Sequence, residues 1–203
     1  MFNSVQYSPS FQKKLVAKVN LPTQSGVENC SIYELDKGRK DAKQLKKQIN
    51  KKEWEYYQNF LENVRKRRMF PKVVLSTKTF SLEDSKENCL GLVSAYDFGT
   101  SKNISYLEVN PKCQSSVENR PVKRVGESLV SFVMKMWNDK NIVVLHPVDE
   151  ALGFYKKVGF IPMEIPVLIE SPCYLNNEKL SETLKRNEEK IGSEIELVGK
   201  KND

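Results

Sequence analysis

The sequence predicts a mixed α/β domain, and three observations support this fold class. Short segments that alternate apolar and polar residues indicate strands. Longer segments carry apolar residues at helical spacing. The two kinds of segment follow one another in the order β-α-α-β-β-β-α-β-α-β, which predicts a mixed sheet with antiparallel hairpins in its middle. The 203 residues contain no repeat, no low-complexity linker and no break in composition, so we expect one domain.

The first half of the chain supplies one strand and two helices. Residues 1–29 form an N-terminal extension in which alternating apolar residues from Leu15 to Leu21 indicate a further strand. Residues 30–35 alternate in the same way and give the first strand of the domain. A helix follows Asp41, and a second helix carries an apolar stripe and ends before Pro71. The stripe consists of Trp54, Tyr57, Leu61 and Val64.

The second half supplies the remaining elements of a domain that we expect to span residues 30–170. We expect strands at 72–77, 90–96, 103–109, 142–145 and 165–169, helices at 126–137 and 151–158, and a polar loop at 81–88. Residues 171–203 give a charged C-terminal tail that is partly helical. Its helix, 177–191, has a sparse apolar face, and residues 192–203 are expected to fray.

Composition and charge exclude several classes of protein. No apolar run approaches the roughly 20 residues of a membrane-spanning helix, so we expect a soluble protein that does not cross a membrane. The four cysteines stand singly, which argues against a zinc site or a disulfide framework and favours the reducing cytoplasm. With His146 as the only histidine, no metal site is expected. The net charge of +7 is concentrated in the first half of the chain, where it marks either a solvated helix face or a site for polyanions.

Residues 104–160 carry the most informative pattern of the chain. A strand ends in the sequence Leu-Glu-Val-Asn-Pro at Pro111, and the sequence Lys-Arg-Val-Gly-Glu-Ser, residues 123–128, opens an apolar helix. A second strand and a short helix follow, and the helix contains Tyr155 four residues before Gly159. A helix that begins at a turn of small residues presents free N–H groups, which favour the binding of a phosphorylated ligand.

This pattern resembles the acetyl-CoA-binding half of the GNAT acyltransferase superfamily, and the resemblance covers residues 30–170. The phosphate signature of the family falls on residues 123–128. The resemblance implies that the backbone N–H groups of this turn and its two basic side chains bind the diphosphate of acetyl-CoA. It also implies that two strand residues use free backbone groups to hold the pantetheine arm and the acetyl carbonyl. The implied cofactor-binding residues are Leu107, Val109, Lys123, Arg124, Val125, Gly126, Glu127 and Ser128.

The resemblance also implies the catalytic residues. Tyr155 corresponds to the tyrosine that protonates the departing CoA thiolate, although it could instead pack beside Phe154 and Phe160. Glu108 is a candidate for accepting the amine proton, directly or through water, although exposed glutamates are common on strands. His146 is a further candidate base, or a structural residue before Pro147.

The expected function is therefore the transfer of an acetyl group from acetyl-CoA to an amine by direct attack. The acceptor is a small-molecule or peptide amine, and the positive charge also admits a tRNA or a ribosomal protein. Two departures from the family pattern favour an alternative. Val148 stands where the family often has asparagine, and the loop from Pro111 to Lys123 is long; this loop could fold over the pyrophosphate or contribute to acceptor selection. The alternative is a catalytically degenerate module that binds RNA or an acidic protein through its basic N-terminal helices. The sequence does not predict the oligomeric state.

Overall fold

The structure is a computed structural model that describes residues 13–35, 54, 78–97, 101–138, 141–144, 147–163 and 172–199. These ranges contain nine strands and three α-helices. The strands are β1 (Lys14–Pro22), β2 (Val27–Glu34), β3 (Lys78–Glu83), β4 (Cys89–Asp97), β5 (Ser101–Val109), β6 (Asn141–Val144), β7 (Ile161–Pro162), β8 (Cys173–Leu175) and β9 (Glu196–Leu197). The helices are α1 (Val125–Met136), α2 (Asp149–Lys157) and α3 (Leu180–Ile191).

All nine strands belong to one sheet with the order β7-β8-β6-β5-β4-β3-β2-β1-β9. The β5–β6 pair is parallel and the other neighbouring pairs are antiparallel. The predicted fold class, a mixed sheet with helices, is confirmed. The two helices expected between residues 41 and 71 and the strands expected at 72–77 and 165–169 lie outside the described residues.

The expected loop at 81–88 is wrong at its first three residues, which belong to β3. Phe80 of this strand lies edge-on to Phe132 of α1, with ring centroids 4.9 Å apart. The alternate residues Thr79, Ser81 and Glu83 are polar, yet they are buried as well. Because the strand is covered on both faces, its polar residues looked like those of a loop.

A polar face therefore lies on the side of the sheet opposite α1. The strand registers place seven buried polar residues there, namely Thr79, Ser81, Glu83, Ser94, Asn103, Tyr106 and Glu108. Burial of polar groups is tolerated when they form hydrogen bonds. The hydroxyls of Thr79 and Ser94 are 2.9 Å apart, and the carboxylate of Glu83 accepts from Ser81 Oγ at 2.8 Å. Lys13 Nζ adds an ion pair to Glu83 at 2.7 Å.

The described parts of both terminal segments, residues 13–29 and 172–199, belong to the sheet and its core. β1 pairs with β2 along most of its length, so the strand expected within the N-terminal extension is confirmed. α3 packs against α1, and β9 pairs with β1. The expected fraying is wrong for residues 192–199, because Ile195 is fully buried and Lys135 forms ion pairs with Glu188 and Glu194.

Gly159 provides a test of the contact between α2 and α3. Its φ is +107°, and a Cβ built on it lies 2.5 Å from Thr183 Cγ2. We therefore expect Gly159→Ala to lower the free energy of unfolding by about 3 kcal/mol, measured by urea denaturation. The matched control is Gly153→Ala, at an exposed position of α2 where a Cβ meets nothing within 4 Å. This substitution should raise the free energy of unfolding by about 0.5–1 kcal/mol. Equal effects of the two substitutions would contradict this packing.

Candidate active site

β5 and β6 separate after three residue pairs. The parallel register pairs Ser101, Lys102 and Asn103 with residues 141–143, and it ends there among the described residues. On its other side β5 stays paired with β4 as far as Val109. The register of β4 and β5 shifts around Ser105, which is an extra residue of a β-bulge. Such a bulge bends a strand and increases its twist, so it accounts for the separation.

The edge of β5 that faces away from β4, residues 104–109, is called the free edge below. Across the β4 side, the Asn110 N–H donates to Leu90 O at 2.8 Å. Successive residues of a strand direct their backbone N–H and C=O groups to opposite edges. Leu107 and Val109 therefore direct theirs to the free edge. These are the two residues that the resemblance assigns to the pantetheine arm and the acetyl carbonyl, and their binding role stays a prediction.

The first turn of α1 lies beside the end of β5. Arg124 is the N-cap residue, with a left-handed φ of 64° and no side-chain cap. The Ser128 N–H donates to Arg124 O at 3.0 Å, and Ser128 Oγ donates to the same oxygen at 2.8 Å. Helix geometry leaves the N–H groups of residues 125–127 available to a ligand. Ser128, in contrast, is fully buried and its N–H is engaged, so the prediction that this N–H binds diphosphate is wrong.

Two cationic residues adjoin this turn. Arg124 Nη1 forms an ion pair with Glu127 Oε1 at 2.9 Å, and both side chains are partly exposed. The Lys123 N–H donates to Pro22 O at 2.9 Å, and this bond ties the turn to the end of β1. An anion at the turn would therefore meet the helix N-terminus and two basic side chains, one of which already has an acidic partner.

Gly126 allows α1, α2 and β5 to meet. A Cβ on this residue would lie 3.2 Å from the Phe154 ring and 3.3 Å from Val109 Cγ2. The next residue of α2, Tyr155, lies close enough to Cys173 of β8 for the two groups to affect each other electrostatically. Residues 154 and 155 therefore extend across the gap, the space between β5 and β6 beyond their last pair, from the β5 side to the side of β6 and β8.

Tyr155 is 6% exposed, and its ring packs edge-on against two phenylalanines. The ring centroids lie 5.2 Å from Phe154 and 5.6 Å from Phe160. Burial raises the pKa of Tyr155 above its usual value, and the nearby Cys173 raises it further. The phenol therefore keeps its proton at neutral pH, as an acid requires. The packing that the sequence analysis gave as an alternative is present, and it does not exclude the acid role.

Glu108 lies on the polar face, where it is 6% exposed. The Tyr106 hydroxyl donates a hydrogen bond to Glu108 Oε2. Burial and this bond raise the pKa of Tyr106, so Tyr106 remains a donor. The alternative of an exposed strand glutamate is wrong. His146 lies outside the described residues. Val148 is the N-cap residue of α2, and its side chain makes no capping hydrogen bond.

The long loop that follows β5 runs toward the β1–β2 hairpin. Thr23 forms a β-bridge with Val122, and Gln24 Nε2 donates to Asn119 Oδ1 at 3.2 Å. The hairpin belongs to strands that lie beyond β4 and β3, on the side of β5 away from β6. The loop is therefore anchored to strands that lie on the β4 side of β5, away from the place where β5 and β6 separate.

The chain resembles many solved structures, among them the following three. The AtaT–AtaR complex bound to DNA matches at 20% identity with a TM-score of 0.54, over 74% of this chain and 97% of that chain. A mutant of the spermidine N-acetyltransferase SpeG from Vibrio cholerae matches at 15% identity with a TM-score of 0.50, over 75% of this chain and 96% of that chain. A predicted acetyltransferase from Exiguobacterium sp. 255-15 matches at 14% identity with a TM-score of 0.51, over 76% of this chain and 97% of that chain. The chain has the GNAT acetyltransferase fold.

The resemblance to the GNAT superfamily is thus confirmed for the fold. No protein-family model and no curated protein matches the sequence. In the described part of the chain, no helix is long and apolar enough to span a membrane. Over the same residues, no group of three His, Cys, Asp or Glu side chains could hold a metal ion.

The sequence analysis missed two residues of this region, Asn103 and Tyr106. Both lie on the polar face with Glu108, although the β-bulge at Ser105 interrupts their spacing. Strict alternation would place residues 103 and 106 on opposite faces. One signal in the sequence could have revealed these residues: several polar residues occur close together in a strand whose other residues are apolar.

Proposed function

We propose that the protein is an N-acetyltransferase that moves an acetyl group from acetyl-CoA to an amine. The free edge carries this proposal, because it offers the backbone groups of Leu107 and Val109 directly beside the first turn of α1. An extended ligand with a diphosphate at one end fits this arrangement. Its extended arm would pair with the edge as a further strand does.

The diphosphate of acetyl-CoA would lie against the N–H groups of Val125, Gly126 and Glu127. A helix N-terminus favours an anion through these donors and through its dipole. Lys123 and Arg124 add charge-assisted contacts. The ion pair of Arg124 with Glu127 is partly open to solvent, so it contributes little free energy and Arg124 can exchange it for phosphate.

The chemistry follows from the groups around the gap. The nitrogen of the acceptor forms a bond to the acetyl carbon, and the bond from that carbon to sulfur breaks. A backbone N–H of the free edge stabilises the negative charge that develops on the acetyl oxygen. Tyr155 donates its proton to the sulfur, and Glu108 accepts the amine proton through water. Solvent restores both residues to their starting state.

The acceptor is proposed to be an amine because the similar SpeG protein is named a spermidine N-acetyltransferase. A peptide amine, a tRNA or a ribosomal protein is favoured only by the net charge of +7. The same charge favours the alternative function of a module that binds RNA or an acidic protein. Salt-sensitive binding to RNA without affinity for CoA would support that alternative. The four free cysteines are consistent with a cytoplasmic protein.

Calorimetry with acetyl-CoA tests the proposed function through Arg124→Gly. Glycine adopts the φ of 64° without strain, so the fold is kept while one phosphate contact is lost. We expect wild-type protein to bind acetyl-CoA and the variant to bind it about tenfold more weakly. The control is Lys112→Ala, which removes an exposed charge from the same loop and should change affinity less than twofold. Absence of binding by wild-type protein at high micromolar concentration would contradict the proposal.

A further inference from the structure

One side of α3 contacts the C-terminal turn of α2. Asn187, which is 1% exposed, donates from Nδ2 to the carbonyl oxygen of Val158, the C-cap residue of α2, at 3.1 Å. Thr183 and Arg186 lie against Gly159, where a Cβ would come within 2.5 Å of Thr183 Cγ2 and 2.9 Å of Arg186 Nη2. Arg186 and Asn187 follow Thr183 by three and four residues, so all three lie on the same side of the helix.

The same turn carries one of the two rings that pack against Tyr155. The Phe160 N–H donates to Tyr155 O at 2.9 Å, and the Val158 N–H donates to Phe154 O at 3.1 Å. The Phe160 ring lies edge-on to the Tyr155 ring, with 5.6 Å between the centroids. A chain of direct contacts therefore leads from Asn187 through residues 158–160 to the phenol that is the proposed acid.

An asparagine at position 187 costs more folding free energy than an apolar residue of the same size, because its amide is buried. The Asn187 Nδ2 faces two acceptors, Val158 O and, at 4.0 Å, the thioether sulfur of Met134 on α1. A leucine has a similar shape but cannot donate to either. A buried polar group can specify how two elements align, as a single asparagine does in coiled coils. The amide thus supplies a direction that apolar packing lacks.

We propose that Asn187 is a positioning residue for acetyl transfer: its amide holds the 158–160 turn so that Phe160 keeps the Tyr155 hydroxyl directed at the leaving sulfur. This inference rests on the proposed function, in which Tyr155 gives its proton to that sulfur. Proton transfer requires hydrogen-bond distance and alignment, and a misplacement of about 1 Å can lower a rate about a hundredfold. The C-terminal helix, which lies beyond the domain expected at residues 30–170, thereby acts in the reaction.

A role of α3 in stability alone gives a different expectation, and Lys135→Met serves as the matched control for it. Lys135 forms ion pairs with Glu188 and Glu194, which join α3 and the segment after it to α1. The substitution removes these contacts and keeps the bond from Asn187 to Val158. It therefore weakens the packing of α3 without changing its contact with α2. If α3 served only stability, substitutions at 135 and 187 would affect catalysis alike.

The test measures thiol release from acetyl-CoA with a panel of amines, namely spermidine, cadaverine and a lysine-containing peptide. With the best amine, Asn187→Leu should lower kcat about tenfold and leave the KM for acetyl-CoA within twofold of wild type. Lys135→Met should leave kcat within twofold. In the Tyr155→Phe background, Asn187→Leu should lower kcat less than twofold, because the hydroxyl that it positions is already absent. Urea denaturation shows which variants are folded, and Asn187→Ala takes the place of Asn187→Leu if leucine prevents folding.

Equal kcat values for wild type and Asn187→Leu would overturn the inference. A tenfold loss that persists in the Tyr155→Phe background, or an equal loss in Lys135→Met, would overturn it as well. If no amine supports release by wild-type protein, the proposed function fails. The positioning of Tyr155 is then tested by NMR, since Asn187→Leu should shift the ring proton signals of Tyr155 and Phe160 and Lys135→Met should not. Unshifted signals in Asn187→Leu would overturn the inference independently.

Discussion

Replacement of Tyr155 by phenylalanine is expected to lower kcat at least a hundredfold while leaving the dissociation constant of acetyl-CoA within twofold. General acid catalysis typically contributes about 10²–10⁴-fold, and the substitution removes only the proton donor. The ring remains, so its packing against Phe154 and Phe160 is kept. The effect should therefore appear in the chemical step and not in binding.

The measurement is steady-state thiol release with the best amine of the panel, together with calorimetry. Tyr174→Phe on β8 is the matched control, because it removes a hydroxyl from the strand that also carries Cys173. Burial raises the pKa of Tyr155, so its phenol stays protonated between pH 7 and 9. Wild-type kcat should consequently show no loss over that range from ionisation of Tyr155. Equal kcat values for wild type and Tyr155→Phe would remove this residue from the mechanism.

Val109→Pro is expected to weaken acetyl-CoA binding about thirtyfold, roughly 2 kcal/mol, because it removes an N–H from the free edge. Proline lacks this donor, and its ring occupies the place where the donor stood. The β4 side of the strand loses no hydrogen bond at this position, since the N–H of Val109 points the other way. Proline is tolerated where a strand N–H faces outward, so the free energy of unfolding should fall by only about 1 kcal/mol.

Val109→Ala separates the backbone from the side chain. It keeps the N–H and removes the methyl groups that lie near Gly126. Alanine should therefore leave acetyl-CoA affinity within about twofold of wild type. Calorimetry on both variants, with urea denaturation as a check of folding, completes the comparison. Equal affinity of Val109→Pro and wild type would show that the free edge does not hold the cofactor.

The sequence predicted the elements around the gap because each carries a clear local pattern. The apolar helix that begins near Gly126 and the alternating strand that ends at Val109 are visible without tertiary information. The backbone directions of Leu107 and Val109 also follow from strand geometry once the strand is recognised. The resemblance to GNAT proteins joined these elements into one site.

Other features depend on contacts that a single sequence does not reveal. Residues 81–83 of β3 looked like a loop because Ser81 and Glu83 are polar, and the hydrogen bond and ion pair that allow their burial are not visible in the sequence. α3 looked like a poorly packed tail because it has few apolar residues. Polar contacts complete its packing: Lys135 of α1 forms an ion pair with Glu188, and Asn187 donates to the carbonyl of Val158 at the end of α2. Asn103 was missed since the bulge at Ser105 shifts the alternation.

The central claim is that the free edge and the first turn of α1 together hold acetyl-CoA. The most direct measurement is a titration of ¹⁵N-labelled protein with CoA, followed through backbone amide signals. The account predicts large shifts at Leu107 and Val109 and at residues 125–127, with little change at the exposed Val27 on the β1–β2 hairpin. CoA binding that shifts the hairpin signals and leaves those of residues 107, 109 and 125–127 unchanged would contradict it.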